Sequence, residues 1–395
     1  MEQLTKANDA LSVSKGYKQT EVGIIPSDWN IIRLGDYISL KNGYAFKSEY
    51  FSSNGPIVMT PGNFKLEGGL KFNKRNTIRY SGEYLKHMCF ENGDLIMVMT
   101  DLTPDCNLLG KSGIVDSKEI ILHNQRIGKI VITKKGILKD YLNIYFNSFL
   151  FSNRMKSTAT GSTVRHTSVP AINNSKVILP PLAEQKAIAT VLSDTDALLQ
   201  ALEKKIAKKK LIKKGVMQEL LTPKEGWVRV RLDEVLKFGS GEDYKHLSEG
   251  DIPVYGTGGI MTYVNDFLYN GDSVGIGRKG TIDKPVLLCG KFWTVDTLFY
   301  THTFMNTTPK FIYYKFLMIP WLDYNEASGV PSLNKNTLGK IEIDLPQTIS
   351  EQNQIAQILS DMDQEIEALE QKLSKYQLAK QGMMQQLLTG KIRLV

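Results

Sequence analysis

Leu182–Thr222 reads LAEQKAIATVLSDTDALLQALEKKIAKKKLIKKGVMQELLT, and Ile349–Thr389 reads ISEQNQIAQILSDMDQEIEALEQKLSKYQLAKQGMMQQLLT. The two stretches align without a gap at an offset of 351 − 184 = 167, and about half of their positions are identical. A repeat of this length organises the rest of the chain. Apolar residues of the second copy fall at Ile355, Leu359, Met362, Ile366, Leu369, Leu373, Tyr376, Met383 and Leu387, alternating steps of four and three, with Lys380 in the one gap. This is a heptad seam. The first copy keeps the register at Ile188, Leu192, Leu199, Leu202, Ile206, Val216 and Leu220, with Thr195, Lys209 and Lys213 as polar exceptions. Thr348 with Glu351 fits a capping box, and Thr222-Pro223 and Thr389-Gly390 supply stops. Each copy predicts a helix of about 60 Å.

Charge predicts how the helices meet. The first copy has eight Lys against five acids (8 − 5 = +3), and the second three Lys against six acids (3 − 6 = −3). Lys204, Lys205, Lys208, Lys209, Lys210, Lys213 and Lys214 lie towards the end of the first helix, and Asp361, Asp363, Glu365, Glu367 and Glu370 towards the start of the second. An antiparallel pairing lays one cluster against the other, whereas a parallel pairing does not. Such pairs select orientation more than they stabilise. The plainer alternative for the lysines is a solvated charge run.

The chain has 395 residues, 42% of them hydrophobic, enough for two or three cored domains. Its formal charge is +8 and its pI near 9.0. The two helices cancel, so the excess belongs to the remaining segments and favours a polyanionic partner. Three scattered cysteines, Cys89, Cys106 and Cys289, exclude a disulfide framework and a close-pair zinc site. No stretch approaches the roughly 20 apolar residues of a membrane span, and Met1–Thr20 is polar, without the apolar core of a secretory signal. Residues 1–20 are expected to be a loose tail with one short helix at most, and the protein to be cytoplasmic.

A domain-sized segment precedes each helix: Glu21–Pro181 (181 − 20 = 161 residues) and Pro223–Thr348 (348 − 222 = 126 residues). Both open alike, on Trp29 then Arg33-Leu34 and on Trp227 then Arg231-Leu232, and their interiors diverge. Asp94–Met99, Lys129–Ile132 and Ile341–Leu345 read as strands, Tyr141–Phe151 and Lys310–Met318 as helices. The expected fold is therefore α+β: two mixed domains alternating with two long helices that pair as an antiparallel coiled coil with pseudo-twofold symmetry.

Motifs for chemistry fail on inspection. Gly275-Ile276-Gly277-Arg278-Lys279-Gly280, with Asp296 beyond it, matches a dinucleotide fingerprint, but Pro285 and β-branched residues follow where a helix must open. A strand, a tight turn bearing Arg278 and Lys279, and a second strand fit better. Gly110-Lys111-Ser112 resembles the end of a phosphate loop, but Asp105 stands where that loop needs Gly. His87, His123, His166, His246 and His302 lack metal spacing, and no base-methylation or nuclease signature is present. No catalytic residue and no metal site are expected.

What remains are Gly- and Ser-rich loops with cations and amides, suited to DNA phosphates and base edges. Their candidate DNA-binding residues are Lys41, Asn42, Tyr44, Arg165, His166, Tyr255, Thr257, Arg278, Lys279, Asn334 and Lys335. For any one loop, an ordinary solvent-exposed turn is an equal reading. The helix-interface candidates are Ile188, Leu192, Leu199, Leu202, Ile206, Ile355, Leu359, Ile366, Leu369 and Leu373.

The Pro-Pro-Leu-Ala-Glu-Gln entry at Pro180–Gln185, the Ile-Ala and Leu-Ser-Asp-x-Asp core and the Met-Gln-x-Leu-Leu-Thr exit, the last two present twice, resemble the specificity subunit of type I restriction-modification enzymes. Tyr17–Pro26 through Trp29 also resembles that family's start, so the likeness spans essentially the whole chain. The resemblance implies target-recognition domains at 21–181 and 223–348, each reading half of a split, asymmetric site in double-stranded DNA. It implies helical regions at 182–222 and 349–395 that set the gap. Two methyltransferase subunits using S-adenosylmethionine and two restriction subunits using ATP and Mg would carry the chemistry, with no cofactor in this chain. The departure from the family is a long first domain with an insert around Asn63–Arg79. A coiled-coil adaptor with two ligand-binding domains is the alternative from another class, and a nucleotide-dependent oxidoreductase the enzymatic one.

Overall fold

The computed structural model describes residues 15–103 and 105–394, so the tail expected at residues 1–14 lies outside the described residues. The chain divides into two compact units, Met1–Gln200 with Ser374–Val395, and Ala201–Leu373. Within the expected tail, Tyr17–Thr20 is instead a strand, paired antiparallel with Gly23–Pro26 through the left-handed turn at Gly23. That segment belongs to the first unit's fold.

The repeat forms two helices of 40 residues, Leu182–Leu221 (the central helix) and Ile349–Leu388 (the C-terminal helix). Thr348 Oγ1 accepts the Glu351 amide at 3.2 Å, but Glu351 does not close a capping box. Its carboxylate takes the Trp227 indole instead. Gly390, at φ +70°, ends the C-terminal helix in the conformation that glycine adopts without cost.

Each unit holds a stretch of both helices. In the second, Lys209 pairs with Glu365 and Lys210 with Glu370 at 2.7 Å, and Lys213 with Asp363. In the first, Lys380 pairs with Asp196. From Lys209–Glu365 and Lys210–Glu370 to Lys213–Asp363 the number rises along one helix as it falls along the other, which is the antiparallel sense. Ile188, Leu192, Leu199, Leu202, Ile206, Ile355, Leu359 and Ile366 are buried, whereas Leu369 and Leu373 are only half-buried. The early turns do more than line a seam. Ile188 and Leu192 join Leu387 and Leu388 in the core of the first unit, and Ile355 and Leu359 join Leu221 in that of the second.

In the first domain a four-stranded antiparallel sheet runs in the order Ser112–Ile114, Leu95–Val98, Ile127–Ile132, Ile38–Asn42. A second sheet runs Ile78–Tyr80, Phe51–Val58, Ile121–Leu122, Cys89–Phe90, with the middle pair parallel. The apolar run at Leu95–Val98 is buried on both faces. Leu95 and Met97 enter the core beside the helices, and Ile96 and Val98 the core shared with the second sheet. A ribbon of Asn30–Arg33 with Lys176–Leu179 leads into the central helix.

The second domain repeats this topology. Its first sheet runs Val286–Leu288, Ser273–Gly277, Leu298–His302, Lys237–Ser240, and its second Gly259–Val264, Glu249–Gly256, Lys291–Thr294, Tyr269–Asn270, again with a parallel middle pair. The ribbon is Val228–Arg231 with Glu342–Leu345. The expected strand ahead of Arg278 is present as Ser273–Gly277, but its connection to the next strand, Val286–Leu288, runs from Arg278 to Pro285 and is no tight turn. The helix expected over Tyr141–Phe151 is two helices, Lys139–Phe146 and Phe149–Ser157, because Ser148 Oγ accepts the Phe151 amide and starts a new one. The helix expected at Lys310–Met318 is Pro309–Phe316.

The twice-used Glu-Gln fastens helix to domain. Trp29 Nε1 donates to Glu184 Oε2 at 2.8 Å, and Trp227 Nε1 to Glu351 Oε1 at 3.0 Å. Gln185 Nε2 donates to the Pro180 and Gly136 carbonyls at 2.8 and 3.0 Å; Gln352 Nε2 does the same to Pro346 and Asn306 at 3.1 and 2.9 Å. Each indole also lies under a cation, Trp29 under Arg393 and Trp227 under Lys315.

Candidate nucleic-acid interface

In the first domain, backbone hydrogen bonds lay four loops side by side. Tyr44 N donates to His123 O at 2.8 Å, Gln125 N to Tyr44 O at 3.0 Å, Met99 N to Arg126 O at 2.8 Å, and Thr167 N to Met99 O at 3.0 Å. Gly43 permits the approach, since a Cβ there would stand 2.2 Å from the Asn124 carbonyl oxygen. Lys41 and Asn42 are exposed at the end of their strand. The Tyr44 ring is half-buried, edge-on to His87 and His123 with centroids 5.5 and 6.3 Å apart. Arg165 pairs in register with Asp101, but that carboxylate is taken by the Thr103 and Leu108 amides, and Arg165 Nε is buried without a partner. His166 Nδ1 lies 3.1 Å from Thr100 Oγ1.

The second domain builds the same ladder. Glu242 N donates to Thr294 O at 2.9 Å, Arg278 N to Thr297 O at 2.7 Å, and Leu333 N to Arg278 O at 2.8 Å. Lys279 bridges Ser332. The Tyr255 carbonyl accepts from Val295 N at 3.0 Å, and Thr257 Oγ1 would lie 3.9 Å from a Cβ at Gly280. Tyr255, Thr257, Arg278, Lys279, Asn334 and Lys335, read from three separate loops, therefore meet at one edge.

Two cations share a ring there: the Arg278 guanidinium is 6.0 Å and the Lys335 ammonium 5.4 Å from the Phe299 centroid. Burial, then the charge of Arg278, holds the Lys335 amine below its ordinary pKa. Burial, then Lys237 and Lys335, does the same to His302. Arg278 also donates to the Asp296 carbonyl at 3.3 Å, and cations held this close, with no ion pair to either among the described residues, favour an anionic ligand. Asn334 is partly committed elsewhere, because its Oδ1 accepts the Asn336 amide at 2.8 Å and caps the helix Lys335–Gly339. Ser168 caps Val169–Asn173 at the corresponding place in the first domain.

The matched ladders expose residues that sequence reading missed. Arg126 O receives Met99 N as Thr297 O receives Arg278 N, so Gln125-Arg126 occupies the place of Asp296-Thr297. Both Gln125 and Arg126 are exposed, and among the described residues their side chains make no hydrogen bond or ion pair. The available signal was the position of this turn, one residue ahead of the strand beginning at Ile127. Lys111 of the phosphate-loop lookalike is buried, its Nζ 3.2 Å from the Asn147 carbonyl, and burial holds its pKa at about 8. It closes a helix end.

The insert also has a defined place. Gly256 pairs with Gly259 across the two-residue turn at Thr257-Gly258, whereas in the first domain Val58 pairs with Ile78 and the insert fills the space between. It replaces a hairpin turn.

A family model, the type I restriction modification DNA specificity domain, matches residues 26–211 and 224–376. The chain belongs to this family. It is 26% identical over 431 residues to the type I restriction enzyme MjaVIII specificity subunit of Methanocaldococcus jannaschii, covering 94% of each chain. It is 28% identical over 185 residues to the EcoAI specificity subunit of Escherichia coli, covering 46% of this chain and 30% of that one. Among solved structures it resembles the type I restriction-modification S subunit from M. genitalium, with a TM-score of 0.63 at 17% identity over 91% of this chain and 96% of that one.

Proposed function

We propose that this chain reads a split, asymmetric site in double-stranded DNA, with recognition domains at 21–181 and 223–348. As a type I specificity subunit it supplies sequence recognition, not catalysis. Two methyltransferase subunits and two restriction subunits assemble on it, bringing S-adenosylmethionine, ATP and Mg; the setting is the cytoplasm. One observation carries the reading: two domains share one topology and one loop ladder, yet present different side chains at matched positions, Gln125-Arg126 against Asp296-Thr297. A shared frame with unlike tips suits two different half-sites, phosphate contacts docking the frame and base contacts specifying it.

The test is modification-sensitive sequencing of DNA from cells carrying the chain with its methyltransferase subunits, alongside duplex binding measured across salt concentrations. A two-part motif with a fixed gap and salt-dependent binding are expected. Salt-independent binding and no motif would leave the adaptor reading instead. Inserting one heptad, about 10 Å of helix, into both long helices should shift the gap by a few base pairs.

A further inference from the structure

We infer that the insert of the first domain is a phosphate-contacting arm, giving this domain a longer DNA footprint than the second; the inference rests on the DNA-reading function proposed above. The insert is a built structure. Phe64 is buried, Leu70 packs on the same core, and Gly69 N donates to Ser112 O at 2.9 Å. Its second lobe, Lys71–Asn76, is fastened to the hairpin end by Asn76 Nδ2, which donates to the Gly62 and Lys71 carbonyls at 3.0 and 3.2 Å. Asn63 Nδ2 in turn donates to Asn76 O at 3.0 Å.

This clasp presents Lys71-Phe72-Asn73-Lys74-Arg75, all exposed. Lys71, Lys74 and Arg75 have no ion pair among the described residues, whereas Arg79 at the foot of the insert is spent on Glu119. Glu67, the one acid in 63–79, sits in the other lobe. Folding neutralises none of the three cations, and the asparagine clasp fixes where they stand. The corresponding turn in the second domain, Gly256-Thr257-Gly258-Gly259, has no cation, and there Thr257 adjoins the loop of Arg278. The cationic lobe therefore stands where the second domain has only a short turn beside its cationic edge. Exposed cations around one aromatic, with no acceptor side chain beyond Asn73, whose Oδ1 already accepts the Arg75 and Asn76 amides, suit phosphates more than base edges.

The experiment uses the complex with its methyltransferase subunits. Lys71→Ala, Lys74→Ala and Arg75→Ala are combined, with Lys135→Ala, an exposed lysine outside the insert, as control. Every cation withdrawn from a phosphate should reduce the slope of log K against log salt by about 0.9, so the triple variant should drop by about two to three units of slope and bind at least tenfold more weakly at low salt. The methylated motif should stay unchanged, and backbone protection beyond the first half-site should disappear. An unchanged slope would overturn the inference. So would an altered motif, which would make the arm a base reader. If the unmodified complex showed neither salt-dependent duplex binding nor a motif, the DNA-reading function itself would fall.

Discussion

Lys213 of the central helix pairs with Asp363 of the C-terminal helix, and the equivalent residues pair again with roles exchanged, Lys380 with Asp196. Both equivalences follow the repeat offset, since 213 + 167 = 380 and 196 + 167 = 363. The antiparallel sense is thus written into the half of the sequence the two copies share, not only into their opposite net charges. Lys209–Glu365 and Lys210–Glu370 belong to the contrast between copies, while Lys204, Lys205, Lys208 and Lys214 make no ion pair among the described residues.

Lys213 is largely covered, and Asp363 also accepts the Tyr314 hydroxyl at 2.9 Å. Lys213→Asp should destabilise the second unit by about 1–2 kcal/mol, the acid partner being partly exposed. Adding Asp363→Lys should return part of the loss. A denaturant double-mutant cycle measures this, and a coupling energy of zero would show that the pair does not set helix direction.

Glu184 is fully buried and is held by the Trp29 indole and two nitrogens of Arg393, which also reaches Asp28. Arg393→Ala strands that carboxylate and should cost about 2–3 kcal/mol. It also changes the acid limb. The Arg393 hydrogen bond, opposed in part by burial, holds the Asp28 carboxyl below the usual carboxylate range. Its contribution is complete above the unfolded pKa and is lost as pH falls through the lowered one. The variant should therefore lose less stability than the parent below about pH 4. Thermal unfolding from pH 7 to 3 checks both the offset and the slope.

Gln185 and Gln352 are fully buried and serve two carbonyls each, and each side-chain oxygen also accepts a hydrogen bond, from Leu138 N and Thr307 Oγ1 respectively. Gln185→Leu or Gln352→Leu leaves these groups unpaired and should cost about 2–4 kcal/mol. Glutamate at either place should be no better, having lost the donor. Chemical denaturation gives the comparison.

Arg126→Ala should relax one position of the first half-site, a discrimination loss of about 1–3 kcal/mol, and leave the second half-site intact. Methylation mapping reads this directly. Equal weakening at every sequence would mean that Arg126 touches only phosphate.

The long helices were legible because a gapless repeat and a heptad period survive in the local sequence at Leu182–Thr222 and Ile349–Thr389. The common topology of the domains was not. Sheet order depends on distant pairings such as Val254 with Trp293 and Ile57 with Ile121, and only apolar character, not identity, is retained there. The candidate loops were half legible. Glycines and cations pointed to Arg278 and Lys335, and the ladder brought them together, but Gln125-Arg126 looks like any polar turn until its place beside Met99 is known. The cap formed by Asn334 was readable from Asn334-Lys335-Asn336-Thr337, where a polar acceptor precedes a short helix.

The division of the chain also orders its synthesis. Ala201–Leu373 is a single run that can fold as soon as it has left the ribosome. The first unit, begun earlier, takes Leu387 and Leu388 into its core and Arg393 onto Trp29, all from Ser374–Val395. The domain translated first is therefore completed last, and a released chain ending at residue 373 would carry every residue of the second unit but would lack the segment that closes the first.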